Sequence, residues 1–318
     1  MVHVCSFHGF GRQRVQSGTR RHGAFAITLG MSLFLLASPG PVSAHAIAGM
    51  RVFPATLSFD DPGVANEFNV TFGRLEADNV TSSTLSVAYS KTITPRFGLS
   101  VASDYNWISQ PGADNQRGWD NLGVGAQYQL FINGPHEAIG LLGVSDSLAN
   151  TGSGGIGSDY STISTEFAFG KGMGDLPWSV RYLHPLALTG AISVDIPQTS
   201  SQPRMLNGGL SLQYSIPYLQ SFVKYVGLKA PFNKMVPLVE YTVSKCVDSA
   251  GLCQSSGSQS TVGSINPGVI WLGKYYQVGF EAQIPANQAS GDHVGVLAGI
   301  DVYLDDVLPR TLGAPIFH

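Results

Sequence analysis

Over most of the chain apolar and polar residues alternate one for one. In NLGVGAQYQL, residues 121–130, one set is Leu122, Val124, Ala126, Tyr128 and Leu130; the other is Asn121, Gly123, Gly125, Gln127 and Gln129. In YYQVGFEAQI, 275–284, Tyr276, Val278, Phe280, Ala282 and Ile284 stand against Gln277, Gly279, Glu281 and Gln283. HVGVLAGIDVYL, 293–304, sets Val294, Val296, Ala298, Ile300, Val302 and Leu304 against Gly295, Gly299 and Asp301. A period of two belongs to a β-strand, because successive side chains leave a strand on opposite faces. Weaker alternation covers 68–74, 85–91, 97–107, 162–170, 186–196, 206–216 and 236–244. Less regular runs cover 138–144 and 261–272, the second interrupted by Pro267. The pattern predicts an all-β chain of about twelve strands, each of the roughly 8–11 residues that a tilted strand needs to cross a bilayer. A helical period is confined to one short stretch, 218–226.

Loop lengths divide the same way. With the first strand running outward, the links after odd strands read EADNVTSST, SQPGADNQRGWD, SDSLANTGSGGIGSDYST, PQTSSQPRM, KCVDSAGLCQSSGSQS and PANQASGD. Most are long and rich in Gly, Ser and Asn. The links after even strands include the tight TITPR, INGPHE and LGKY, with two longer exceptions, KGMGDLPWSVRYLH and PYLQSFVKYVGLKAPFNKM. Short turns on one rim and long polar loops on the other is the organisation of an outer-membrane barrel. Half-apolar strands in lipid must close on themselves, since every backbone group there needs an internal partner.

Composition decides which face is wet. Only 12% of the 318 residues are charged, about half the roughly 25% of soluble domains. A soluble barrel turns its polar face outward and stocks it with Lys and Glu. Here the polar faces hold Gly, Ser, Gln, Asn and single acids, which suit a crowded lumen. Aromatic residues such as Tyr105, Trp107, Trp271 and Tyr276 fall near strand ends on the apolar face, where interfacial girdles lie. A net charge of −3 leaves no basic surface for nucleic acid.

The first residues read as an export signal. Arg20, Arg21 and His22 precede the apolar run AFAITLGMSLFLLASPG, and the small residues of VSAHA suit cleavage after Ala44 or Ala46. The run is shorter than the roughly 20 apolar residues of a membrane-spanning helix, and the long stretch before it leaves the translation start open between Met1 and Met31. The predicted organisation is a signal peptide over 1–44, an N-terminal segment over 45–65 that plugs or tethers the barrel, and a barrel over 66–318. Cys5 leaves with the signal.

The chain resembles the outer-membrane protein family named for meta-pathway phenol degradation, whose members are labelled transporters. The matching stretches are DDPGVANEF (60–68), SLQYSIPYLQS (211–221), PLVEY (237–241), INPGVIWLGKYYQVGFEAQIPAN (265–287) and YLDDVLPRTLGAPIF (303–317). The resemblance implies a β-barrel of Gram-negative outer membranes and passage of small, including aromatic, compounds. Barrels of this kind commonly finish on an aromatic residue read by the assembly machinery, whereas here Phe317 is followed by His318.

Candidate chemistry is sparse. Glu67, Asp104, Glu166, Glu240, Glu281 and Asp301 fall on the polar faces and are candidates to line the lumen, with Lys171 and Arg181 bordering one strand end. One reading is an acid-lined passage that favours cations or polar solutes; the other is a network in which Arg, Tyr and Gln neutralise these acids inside a narrow barrel. No strand carries a His and a Ser two apart, so the nucleophile–base pair of a lipid hydrolase is absent from one face, and Ser145, Asp146 and His293 at the rim form no more than a chance trio. Cys246 and Cys253 have six residues between them and no nearby His, which suits neither a zinc site nor a Cys-x-x-Cys redox pair. In an oxidising compartment the pair predicts a disulfide stapling an outer loop. TGSGGIGSD (151–159) lacks the Lys and the βα unit of a phosphate cradle.

These readings converge on a non-enzymatic, monomeric outer-membrane channel or transporter for small solutes, without cofactor. Its partners are membrane lipid, the solute, and the barrel-assembly machinery acting through the C-terminal strand. The alternative is a structural or receptor-like barrel without flux, and an outer-membrane lipid hydrolase ranks below both.

Overall fold

The computed structural model describes residues 46–77 and 79–317. The signal-peptide prediction, 1–44, lies outside the described residues. The chain opens with a small hairpin, β1 (Ala46–Ala48) and β2 (Arg51–Phe53). Gly49 turns it at φ 65°, and a Cβ there would sit 2.3 Å from the Gly134 carbonyl oxygen, so only glycine fits.

The wall follows as β3 (Glu67–Ala77), β4 (Val80–Thr94), β5 (Phe97–Ser109), β7 (Gly123–Asn133), β8 (Ala138–Ser147), β9 (Thr162–Gly172), β10 (Leu186–Pro197), β11 (Met205–Tyr214), β12 (Met235–Cys246), β13 (Val262–Leu272), β14 (Tyr276–Pro285) and β15 (Gly295–Tyr303). A short β6 (Gln116–Trp119) folds back onto β5 within a long loop. Each wall strand pairs antiparallel with its neighbours, and β15 pairs with β3 from Val296↔Arg74 to Tyr303↔Glu67. The result is a closed barrel of 12 antiparallel strands, the outer-membrane type. All twelve predicted strands are present. Closure removes both edges, so no wall strand is left with a free row of backbone groups.

The apolar face points out. Phe72, Ile192, Leu212 and Phe280 are among the outward residues left exposed, while Gln213, Ser211, Asn266 and Gln277 point in and are buried. This inverts a soluble barrel and matches a lipid exterior.

Two local expectations need correction. EADNVTSST is not a long loop: pairing of β3 with β4 continues to Ala77↔Val80. Its β-branched Val80, Thr81 and Thr84 fit a pleated surface, and each further pair satisfies backbone groups. The 218–226 stretch is not one amphipathic helix. A single turn (Ile216–Tyr218) passes into a π-turn (Leu219–Val223), and the chain becomes extended at Lys224. Of its apolar residues Tyr218 is buried, whereas Phe222, Val226 and Leu228 are exposed. The last wall strand ends at Tyr303, close to the end of the predicted 293–304 run. A short turn (Leu304–Val307) leads a tail across the short-turn rim, where Lys91 Nζ donates to the Leu312 carbonyl at 2.6 Å and Phe317 N donates to the Ile93 carbonyl at 2.8 Å.

Candidate functional site: the lumen and the segment seated in it

Residues 54–66 run without regular structure between the hairpin and β3, among inward-facing wall residues. Irregular backbone buried in a membrane barrel needs partners from the wall. The wall's amides supply them, because Gln and Asn each offer both a donor and an acceptor. Gln277 Nε2 donates to the Ala55 carbonyl at 2.8 Å, and Asn266 Nδ2 to Ser58 Oγ at 2.8 Å. Gln129 serves twice, its Nε2 donating to the Pro62 carbonyl at 3.1 Å and its Oε1 accepting from Val64 N at 3.2 Å. Leu57 N donates to Glu281 Oε1 at 3.4 Å.

Apolar side chains of the segment fill sockets made where the wall has glycine or alanine. Leu57 lies over Gly279 and Gly299, and a Cβ at Gly299 would come within 2.7 Å of Leu57 Cδ2. Phe59 packs on Leu141, Ala168 and Ala191, and a Cβ at Gly209 would lie 2.7 Å from its ring. Phe53 joins Ala46, Ala48, Ile139 and Ala187 nearer the short-turn rim. The inward face is therefore not uniformly polar. Apolar wall residues stand where the segment covers them, which removes the cost of leaving them wet. Beside Asp301, Thr56 and Gln277 the remaining void is about 10 Å³, about one water.

Arg51 ties the hairpin to three turns of the short-turn rim. Its Nε donates to Glu137 Oε2 at 3.3 Å, Nη1 to the Pro185 carbonyl at 3.0 Å, and Nη2 to the His184 and Leu186 carbonyls. The guanidinium lies 4.0 Å from the Tyr218 ring centroid, and Tyr218 Oη donates to Glu137 Oε1 at 2.7 Å. Burial of a charge is tolerable only with such full pairing. Burial and the bond to Glu137 push the Tyr218 hydroxyl up to about 12. Within the segment, Asp61 accepts from Gly63 N at 2.9 Å and Ala46 N at 3.3 Å. Burial, reinforced by Asp60, pushes its carboxyl up to about 7.

The six sequence-predicted carboxylates all fall on inward register positions. Glu67, Glu240, Glu281 and Asp301 are buried, and Asp104 and Glu166 are half-buried. Glu240 and Glu281 face each other and Leu57–Ser58; Glu67 and Asp301 face each other near Asp60 and Asp61. Asp195, on β10, is a further inward acid, accepting from Ser164 Oγ at 2.6 Å and Asn207 Nδ2 at 2.7 Å. Its alternation with Ile192, Val194 and Ile196 carried the signal. The basic residues of the wall strands, Arg74, Lys91, Lys171 and Lys245, fall on outward positions near strand ends. Lys171 bonds Asp175 at 2.9 Å, and Arg181 lies half-buried between the Trp178 and Tyr182 rings. Arg51 and Glu137 were not singled out by sequence; the lone cation in an otherwise uncharged stretch, IAGMRVFPATLSF, was the available hint. Ser145, Asp146 and His293 are not joined by any hydrogen bond among the described contacts, where His293 Nδ1 pairs with Asp292 at 2.7 Å.

Cys246 and Cys253 form a disulfide across a short helix (Ala250–Ser255) in the loop after β12. Both sulfurs are thereby withdrawn from metal or thiol chemistry. Asp248, inside the ring, takes a bidentate pair from Arg204 of the neighbouring loop, with Nη2 at 2.7 Å.

No family model and no curated protein matches the sequence. Solved structures do. The COG4313 outer membrane channel from Pseudomonas putida F1 aligns with a TM-score of 0.53 at 12% identity, over 76% of this chain and 96% of that one. This chain shares that barrel fold. The NanC porin (TM-score 0.46, 8% identity, 74% and 98% covered) and LpxR from Salmonella typhimurium (0.44, 9%, 74% and 99%) align more loosely.

Proposed function

We propose that this chain is a monomeric outer-membrane channel of a Gram-negative bacterium for passive passage of small solutes, closed in the described state by residues 46–66. The observation that carries the reading is the way the segment is held. Residues 54–64 meet the wall through sockets and scattered side-chain hydrogen bonds, and Arg51 anchors the hairpin to turns of the short-turn rim, while the wall closes through its own ladder from β3 to β15. The segment can therefore withdraw toward the short-turn rim without opening the barrel.

The lining supports a substrate class. Inward acids and amides without inward Lys or Arg on the wall disfavour anions and suit neutral or weakly cationic solutes with hydrogen-bonding groups. Sockets that accept the rings of Phe53 and Phe59 would offer apolar walls to a passing ring once vacated, which agrees with the aromatic compounds implied by the family resemblance. An export signal and recognition of the last wall strand by the assembly machinery complete the route to the membrane.

The test is solute flux in liposomes across phenols, fatty acids and sugars, comparing the full chain with a variant lacking residues 46–60. Faster entry of phenols through the deletion variant supports the reading. No flux through either protein, with the barrel inserted, would return the chain to a structural or receptor role.

A further inference from the structure

The short-turn rim carries two links much longer than its other turns, 173–185 between β9 and β10 and 215–234 between β11 and β12. Together they contain Arg181, Lys224, Lys229 and Lys234 against a single acid, Asp175, which pairs with Lys171 at 2.9 Å. Apart from Tyr218, which is buried against Arg51 and Glu137, their large aromatic side chains are not covered by the barrel. Trp178 (58% accessible), Tyr225 (73%) and Phe232 (56%) lie open, with Tyr182 and Phe222 partly so. Uncovered aromatic surface on this scale marks an interaction face.

Two contacts place these links on the lipid side of the rim. Tyr214, on the outward face of β11, donates its hydroxyl to the Tyr182 carbonyl at 3.3 Å. Lys234 Nζ lies 5.5 Å from the ring of Trp271, which points outward at the end of β13 and leans on Tyr276 at 5.7 Å. Arg181 sits 5.6 Å from Trp178 and 5.0 Å from Tyr182. Arg181 and Lys234 are thus held on aromatic rings that continue the lipid-facing band of the wall, while Lys224 and Lys229 are exposed on the same link as Lys234. The two rims differ in charge balance: the short-turn rim also holds Glu137, Asp175, Asp305 and Asp306, against Lys91, Arg96, Lys171, Lys274 and Arg310 besides the four cations above, whereas the opposite rim's loops hold Asp114, Asp120, Asp159, Asp248 and Asp292 against Arg117 and Arg204.

We infer that this basic–aromatic belt binds anionic phospholipid headgroups in the leaflet facing the short-turn rim, with the rings at the headgroup level and Arg181, Lys224, Lys229 and Lys234 on the phosphates. Aromatic residues favour that level, and each cation near an anionic surface adds to the attraction. A soluble acidic partner would need a concave or rigid patch, whereas these side chains extend the wall's own membrane contact. The inference rests on the chain being a membrane-inserted barrel, but not on what the barrel conducts.

The experiment uses the full chain refolded into vesicles of equimolar phosphatidylglycerol and phosphatidylethanolamine, extracted gently and weighed by native mass spectrometry. Wild type should retain phosphatidylglycerol about fivefold or more over phosphatidylethanolamine. The R181Q/K224Q/K229Q/K234Q variant should fall to near parity. Equal retention by wild type, or an unchanged preference in the variant, overturns the inference. Insertion is scored separately by heat-modifiable gel mobility and conduction by solute flux. Intact insertion and flux with no lipid preference would remove only the belt, and lipid preference without flux would remove only the channel. A second variant, W178A/Y225A/F232A, guards against misfolding of the first: it keeps the charges and should lose part of the preference by losing headgroup depth, and full retention by it would likewise count against the aromatic half of the belt.

Discussion

Phe59 offers the sharpest test of the closed lumen. It is buried against Leu141, Ala168 and Ala191, with its ring on Gly209. Truncating a buried Phe to Ala typically costs about 3–5 kcal/mol, by lost burial plus the cavity left behind. Here the loss falls on the seat of the segment and not on the wall, whose ladders do not pass through residue 59. Taking about 3 kcal/mol, and tenfold in an equilibrium per 1.4 kcal/mol, the ratio of withdrawn to seated segment should rise about 10²-fold. Gly209→Val attacks the same contact from the other side, since any Cβ there would lie 2.7 Å from the ring. Planar-bilayer recording reads the result: both variants should spend far more time in an open conducting level than the wild type. If both insert with normal heat-modifiable mobility and conduct as the wild type does, the segment does not gate the lumen and the reasoning fails.

Four further outcomes follow from the same geometry. The Asp61 carboxyl is held up to about 7 in the seated segment, against about 3.9 when free; the seated state therefore binds more protons between these values, and its stability falls as pH rises from about 4 through 7. Open probability should increase over that window, with Asp61→Asn showing a flatter profile. Arg51→Met leaves Glu137 buried without its cation, and removing one partner of a buried pair costs about 3–5 kcal/mol; a cysteine placed at Phe53 should then become reactive to a thiol probe, and continued protection would show that the hairpin is held otherwise. Reduction of Cys246–Cys253, a ring worth roughly 2–3 kcal/mol to its loop by loop-closure entropy, should speed proteolysis between them while leaving flux intact; free thiols in unreduced protein would contradict the staple. Replacing Glu240 and Glu281 by Gln should weaken cation preference in the opened channel, and an unaltered reversal potential would remove these two from selectivity.

The strands, the outward apolar face and the division of turns and loops were legible in the sequence because each is a local property. Side-chain alternation follows from the strand backbone itself, as in Tyr276–Ile284, and needs no knowledge of which strand lies next door. The disulfide was legible for the same reason, since its two ends lie in one loop. So was Asp195, whose alternation with Ile192, Val194 and Ile196 had the same period and was overlooked. The polar composition of EADNVTSST suggests a loop, whereas its β-branched Val80, Thr81 and Thr84 suit a paired strand. The apolar spacing of 218–226 suggests a helix, whereas β-branched Val223 and Val226 suit the extended chain that begins at Lys224.

The seat of residues 46–66 belongs to the tertiary structure alone. That stretch has no period, and its partners are distant in sequence: Arg51 meets Glu137 86 residues on, Ala55 meets Gln277 222 residues on, and Leu57 meets Glu281 224 residues on. Irregular backbone is stable in a membrane barrel only where closure brings amides and carboxylates to it, and closure is decided by all twelve strands at once. The glycines at 209, 279 and 299 read in sequence as small residues on a polar face. Only the closed barrel turns them into sockets, because only then do Leu57 and Phe59 arrive opposite the missing side chains.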